Sequence, residues 1–233
     1  MKNCICIITA RGGSKRILRK NIKDFCGKPM ISYAIGTALE SKLFSEVMVS
    51  TDDTEIADVA ISYGAKVPFM RSAEAANDYT PTAPVLLEVI REYQKRGQEF
   101  DYLCCIYPTS PLLKSSRLVE AFELLVRENL DCVFPILRFG FPIQRAFRLH
   151  ENGFVSMFQP ENLIVRSQDL EPAYQDAGQF YFMKVAGLLE KQSLVTDRTA
   201  GLLLDEMEAQ DIDNIADWKV AEFKYQFLKQ SGG

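Results

Sequence analysis

The sequence predicts one α/β domain in three layers, a mostly parallel sheet with helices on both faces. Three observations carry this. Short, continuous apolar runs recur along the chain, as expected of parallel strands covered on both sides. Stretches with helical apolar spacing alternate with them. The length of 233 residues, 47% hydrophobic and 25% charged, fits a single large domain or one domain with an insertion.

The elements follow in order. Cys4–Thr9 is the first apolar run and opens directly into a basic, glycine-bearing turn. Residues 31–41 and 55–63 read as helices on either side of a second strand, 47–51. A third helix, 84–95, precedes the strand 102–107. The helix 116–128 carries Leu118, Val119, Phe122 and Leu125 on one face, at helical spacing. Residues 132–136 form the next strand. The alternation then stops. Residues 138–175 hold three prolines and little periodicity, which reads as an inserted arm for a second subunit or for function. Residues 179–183 resume as a strand, and 214–229 close the chain as a helix containing Trp218, Ala221, Phe223 and Tyr225. His150, the one histidine, falls in an exposed turn.

The net charge of −4 argues against a nucleic-acid binder, which is usually basic overall or on one face. No apolar run approaches the roughly 20 residues that span a bilayer, and the N-terminal run is too short for a signal peptide. The six cysteines lie mostly in apolar runs, without zinc or C-x-x-C spacing. Reduced cysteines in a cytoplasmic protein are therefore expected.

Residues 9–21, TARGGSKRILRKN, place two glycines, a serine and five cations after the first strand. Glycine lets backbone N–H groups approach oxygen closely, and cations meet phosphate charge. The P-loop pattern and the dinucleotide pattern G-x-G-x-x-G are both absent. Arg16, Arg19 and Lys23 read as a solvated basic face.

The string Arg11-Gly12-Gly13-Ser14-Lys15, followed by Lys20-Asn21, resembles the signature of the CMP-sialic acid synthetase family. These cytidylyltransferases activate nine-carbon acidic sugars. Val49-Ser50-Thr51-Asp52-Asp53 and Pro108-Thr109-Ser110-Pro111-Leu112 fit family segments in the same order. So do Arg71, Ala73-Glu74 and Asp78, with Ser72 in place of the usual proline, and Asp211-Ile212-Asp213. The resemblance implies the Rossmann-like fold of nucleotide-diphospho-sugar transferases, with CTP and a nonulosonic acid as substrates. It also implies that the arm 138–175 reaches over a partner in a homodimer. Ala10, Arg11, Gly12, Gly13, Ser14 and Lys15 would hold the triphosphate. Lys20 and Asn21 would sit at the α-phosphate and the acceptor. Arg71 and Asp78 would serve the cytosine side; an ordinary surface arginine is the alternative for Arg71.

Asp211 and Asp213 lie two apart in what should be extended chain, which puts both carboxylates on one face. Paired carboxylates suit magnesium, which keeps one or two carboxylates plus substrate phosphates. Spacing alone equally allows Asp213 to cap the last helix. The resemblance favours the metal, with Asp211 also the candidate base.

The sugar-facing positions depart from the N-acetylneuraminate pattern. Tyr107 stands where the family usually has glutamine, Gln144 corresponds to a lysine, and Gln175-Asp176-Ala177-Gly178 replaces R-P-N-G. The combination F-P-I-Q-R-A with R-S-Q-D-L looks like the pseudaminic acid cytidylyltransferases. The rivals are synthetases for CMP-N-acetylneuraminate, CMP-legionaminate and CMP-Kdo. Arg166 matches a sugar-carboxylate arginine, and Tyr107, Gln144, Gln168, Asp176 and Gln179 are the other candidate sugar contacts.

Overall fold

A computed structural model describes residues 3–77 and 80–231. Asp78 lies outside the described residues. The chain runs β1 (Cys4–Thr9), β2 (Asp24–Phe25), β3 (Lys28–Pro29), α1 (Met30–Ser41), β4 (Glu46–Ser50) and α2 (Thr54–Ser62). It continues with α3 (Ala73–Ala76), α4 (Thr82–Lys95), β5 (Tyr102–Ile106), α5 (Ser115–Arg127) and β6 (Cys132–Arg138). The arm holds β7 (Phe147–Leu149) and β8 (Val155–Met157), and the chain closes with β9 (Tyr174–Asp176), β10 (Phe180–Lys184), α6 (Val185–Lys191), β11 (Thr199–Leu203) and α7 (Ile215–Gln230).

The central sheet has the order β11-β6-β10-β5-β1-β4, with β9 pairing β6. β1 is parallel to β4 and β5, and β11 is parallel to β6. β10 runs antiparallel to both β5 and β6. The sheet is thus mostly parallel, with β10 reversed at its centre and β9 reversed beside β6. The apolar run of β10 suits a central strand but carries no sign of direction, so the reversal was not predictable from the run itself.

Alternation along each strand divides the core. Cys4, Cys6 and Ile8 face the layer of α1, α2 and α5. Ile5 and Ile7 face α4 and α6 with Met48, Leu103 and Met183, as the two-residue period requires. Cys4, Cys6, Cys104, Cys105 and Cys132 are buried and unpaired, and burial pushes their thiols up. That leaves them inert packing groups.

A third, smaller core positions the site. Ile17 and Ile212 pack with Phe25, Met30, Trp218 and Ala221. One residue belongs to the basic turn and the other separates the two aspartates. Their burial therefore draws the basic turn and the carboxylate pair together beside α7.

The arm leaves the sheet at β6 and returns through β9, which pairs antiparallel with it from Ile136–Asp176 to Arg138–Tyr174. The Phe139 amide extends the pairing to the Ala173 carbonyl at 2.9 Å, and the free part is 140–172. His150 sits at the β7–β8 turn, exposed, with Nε2 2.8 Å from the Ser156 hydroxyl. Phe141, Leu149, Phe154 and Ile164 are each at least 73% exposed, an unusual concentration of bare apolar side chains.

Candidate active site

The cleft opens outside the carboxyl ends of β1 and β5. Connections from β1 lead to β4 on one side and later to β5 on the other. This is the topological switch point at which open α/β sheets bind ligands. A cavity of about 230 Å³ there is lined by Thr9, Arg11, Ser14, Lys20, Arg71, Tyr107, Thr109 and Asp213, among others.

Much of the basic turn faces this cleft, but not in the way its glycines suggest. The Ala10 amide donates to the Ser50 carbonyl at 3.0 Å and so belongs to the sheet. The Gly12 amide donates to Asp52 Oδ1 at 2.9 Å. Glycine is required at 12 for close approach: a Cβ there would lie 2.7 Å from Asp53 Oδ2. Ala10 and Gly12 therefore anchor the turn through their own amides. Arg11, Ser14 and Lys20 line the cavity, while Gly13 and Lys15 lie exposed on the same turn. Asn21 is buried and donates to the Arg11 carbonyl at 2.8 Å, which closes the turn on itself.

Lys20 donates from Nζ to the Ile212 carbonyl at 2.6 Å. Burial lowers its pKa, while Asp213 and Asp211 pull it back up. A partly desolvated ammonium between the basic turn and two carboxylates is available to an incoming anion.

Asp211 and Asp213 flank the fully buried Ile212. The segment is irregular rather than a strand, yet the alternation holds and both carboxylates stay outside. The helix-cap alternative fails. Asn214 caps α7, accepting the amides of Ala216 and Asp217, and Asp217 closes the box. Burial, and then the nearby Asp213, raises the Asp211 carboxyl above its ordinary value. Such a pair fits a divalent cation. Among the described residues no cluster of three or more His, Cys, Asp or Glu side chains has metal-holding geometry. A cation at the pair would take its remaining oxygens from phosphate and water, as magnesium does. Arg16 already pairs with Asp213 at 2.6 Å and would have to yield.

Arg71 is 8% exposed and not a surface arginine. Its Nε donates to Ser50 Oγ at 3.0 Å and its NH2 to the Ser50 carbonyl at 2.6 Å. The departure at Ser72 is accommodated by Glu88, which accepts the Ser72 amide at 3.0 Å and its hydroxyl at 2.5 Å. Proline has no amide to give.

The sugar candidates divide. Tyr107 lines the cleft, its hydroxyl 2.9 Å from Thr82 Oγ1. Its ring meets Tyr181 edge-on at 5.6 Å, and Tyr181 donates to Asp176. Asp176 also accepts the Gly178 amide at 2.8 Å; Gly178 has φ +64° and abuts Asp211, its Cβ position 3.8 Å from the carboxyl carbon. Gln179 is 2% exposed and donates to the Glu208 carbonyl at 2.7 Å. It braces the segment leading to Asp211, and its side chain is not at the cleft surface. Gln144 donates to the Glu171 carbonyl at 2.9 Å, Arg166 pairs with Asp169 at 2.7 Å, and Gln168 is exposed. All three belong to the arm, and none lines the cleft of its own chain.

The sequence reading missed Thr80 and Thr82, which also line the cleft; the segment Thr80-Pro81-Thr82 beside the nucleobase loop was the available signal. Of the basic face, Arg19 is drawn inward to grip Asp53 and Glu55, while Lys23 stays exposed, its ammonium 5.9 Å from the Trp218 ring centroid.

The sequence pattern of the family described as Cytidylyltransferase matches residues 5–199. The chain belongs to the cytidylyltransferase family. This cytidylyltransferase is 44% identical over 231 residues to a "Pseudaminic acid cytidylyltransferase" of Campylobacter jejuni, covering 99% of both chains. It is 32% identical over 227 residues to a "CMP-N,N'-diacetyllegionaminic acid synthase" of Legionella pneumophila, covering 94% of both. In fold it is similar to a solved CMP:2-keto-3-deoxy-manno-octonic acid synthetase complexed with CTP, with a TM-score of 0.69 at 17% identity, over 98% of this chain and 100% of that one.

Proposed function

We propose that this cytidylyltransferase transfers CMP from CTP to the anomeric hydroxyl of pseudaminic acid, releasing pyrophosphate. The observation that carries the reading is the basic cleft at the switch point, with Lys20 held against the carboxylate pair. Full-length likeness to relatives named for that sugar supports the choice of acceptor.

The hydroxyl oxygen attacks the α-phosphorus in line, the bond to the bridging oxygen breaks, and pyrophosphate leaves. Such transfer needs positioning and charge neutralisation more than covalent help. Arg11 and Lys15 hold the leaving diphosphate. Lys20 meets the charge growing on the α-phosphate. Arg71 and Thr82 form the nucleobase side, and Tyr107 faces the acceptor. Magnesium at Asp211 and Asp213 would neutralise phosphate charge, and Asp211 accepts the hydroxyl proton. The cytoplasm is the compartment implied by this use of CTP.

The bare apolar arm supports a homodimer in which Gln144, Arg166 and Gln168 serve the neighbouring cleft. Light scattering is expected to give twice the 26.4 kDa chain mass. A fully active monomer would overturn the dimer.

The acceptor is tested by incubating the protein with CTP, magnesium and a panel of purified nonulosonic acids and weighing the products. CMP-pseudaminic acid with pyrophosphate is expected. Product from N-acetylneuraminate or legionaminate alone would overturn the sugar, and no nucleotide transfer to any acid would overturn the enzyme reading.

A further inference from the structure

Two residues of the turn after β4 touch the basic loop at its two ends. At the first end, Asp52 Oδ1 accepts the Gly12 amide at 2.9 Å, and Gly12 lies flush on Asp53. At the second end, Arg19 holds Asp53 with both guanidinium nitrogens, NH2 to Oδ1 at 3.0 Å, and also reaches Glu55. Arg19 sits at φ +55°, a left-handed conformation that a non-glycine residue adopts at a cost. Its carbonyl accepts the amides of Ile22 at 3.0 Å and Lys23 at 2.9 Å. Lys20 is the next residue, so the direction of its side chain follows from the Arg19 backbone. Asp53 is itself fixed as the N-cap of α2, accepting the Ile56 amide at 3.0 Å. Neither Arg19, Asp52 nor Asp53 lines the cleft.

We propose that Asp53 is a positioning residue for nucleotide transfer: with Asp52 it clasps the phosphate loop at both ends and, through Arg19, sets Lys20 against the Asp211–Asp213 segment. This rests on the reading of residues 10–21 as the nucleotide loop. A charged fork on a carboxylate suits the task because two parallel N–H···O contacts fix orientation as well as distance. The Arg19 hydrogen bonds hold the Asp53 carboxyl below the usual carboxylate range, so the clasp is charged throughout the neutral range.

The variant Asp53→Asn tests it, because asparagine keeps the helix cap and loses the charged fork. Displacing a reacting group by about 1 Å costs on the order of 10²-fold in rate. Asp53→Asn and Arg19→Ala are each expected to lower kcat by about 10–10²-fold, with KM for CTP and the melting temperature changed little. Millimolar guanidinium should restore part of the Arg19→Ala rate but none of the Asp53→Asn rate. A purely structural cap would produce neither the kcat-only loss nor the rescue. The second readout is amide hydrogen exchange in the ligand-free protein, where Ile22 and Lys23 should exchange at least about tenfold faster in Asp53→Asn while the β1 amides do not. Wild-type kcat together with unchanged exchange overturns the clasp. If the wild-type protein released no pyrophosphate from CTP with any nonulosonic acid, the functional reading would fall, and the exchange experiment would still decide the clasp.

Discussion

Replacing Lys20 with alanine is expected to lower kcat by about 10²–10³-fold, the effect of removing one preorganised donor from a developing charge. The melting temperature should change little. Lys20 donates to the Ile212 carbonyl, and its burial already costs the folded state part of what that bond returns. Steady-state pyrophosphate release beside a thermal melt measures both quantities. A variant with normal kcat would remove Lys20 from the reacting centre and leave Arg11 and Lys15 as the phosphate contacts. A loss of folding would instead show that the lysine chiefly ties the turn to the aspartate segment.

Asp211→Asn carries the second large effect, and its two halves point in opposite directions. Magnesium-dependent activity should be lost, because one of two carboxylates disappears. Stability of the ligand-free protein should rise at neutral pH. Burial and the Asp213 charge raise the Asp211 carboxyl, so the folded protein binds that proton more tightly than the unfolded chain does. The stability from this group is therefore fully present below the unfolded value of about 3.9 and is lost as pH rises through the raised folded value. Asparagine mimics the protonated acid at every pH. The variant should melt higher than wild type near pH 7, and the gap should close below about pH 4. Adding magnesium and CTP should reverse the order, since ligand binding stabilises only the protein that binds. Melts across pH, with and without ligands, test this. An Asp211→Asn protein that is equally active would refute the metal role, and one that melts lower at pH 7 without ligand would refute the electrostatic account.

Legibility in the sequence followed the range of the interactions involved. β1 was read with its observed limits because Cys4–Thr9 is continuous and apolar. Helices α1, α2, α4, α5 and α7 were read to within a residue or two because their apolar faces repeat locally. β11 and α6 went unread: Thr199–Leu203 has two apolar residues at its end and three small ones before them, and α6 spans only seven residues. Both are made by the sheet they join. Spacing left Asp213 open as a cap of α7, one residue from the cap the structure uses. Asn214 and Asp213 are both good caps by type, and only the backbone at Asn214 shows which accepts the amides. The close packing of Gly12 on Asp53 had no counterpart in the sequence, because the two residues are 41 positions apart.

The sequence by itself determined the alternating α/β layers, the basic turn after the first strand, the carboxylates two apart, and the family resemblance those motifs carry. Each rests on residues close together in the chain, where period and residue type suffice. The tertiary structure alone decided the reversed β10, the pairing of Lys20 with a carbonyl 192 positions away, the withdrawal of the Gly12 amide to Asp52, and the brace from Gln179 to Glu208. The Lys20 contact exists because burial of Ile17 and Ile212 in one small core brings those two distant segments together. Hydrophobic burial is non-directional and leaves no mark in sequence spacing that says which polar groups will meet.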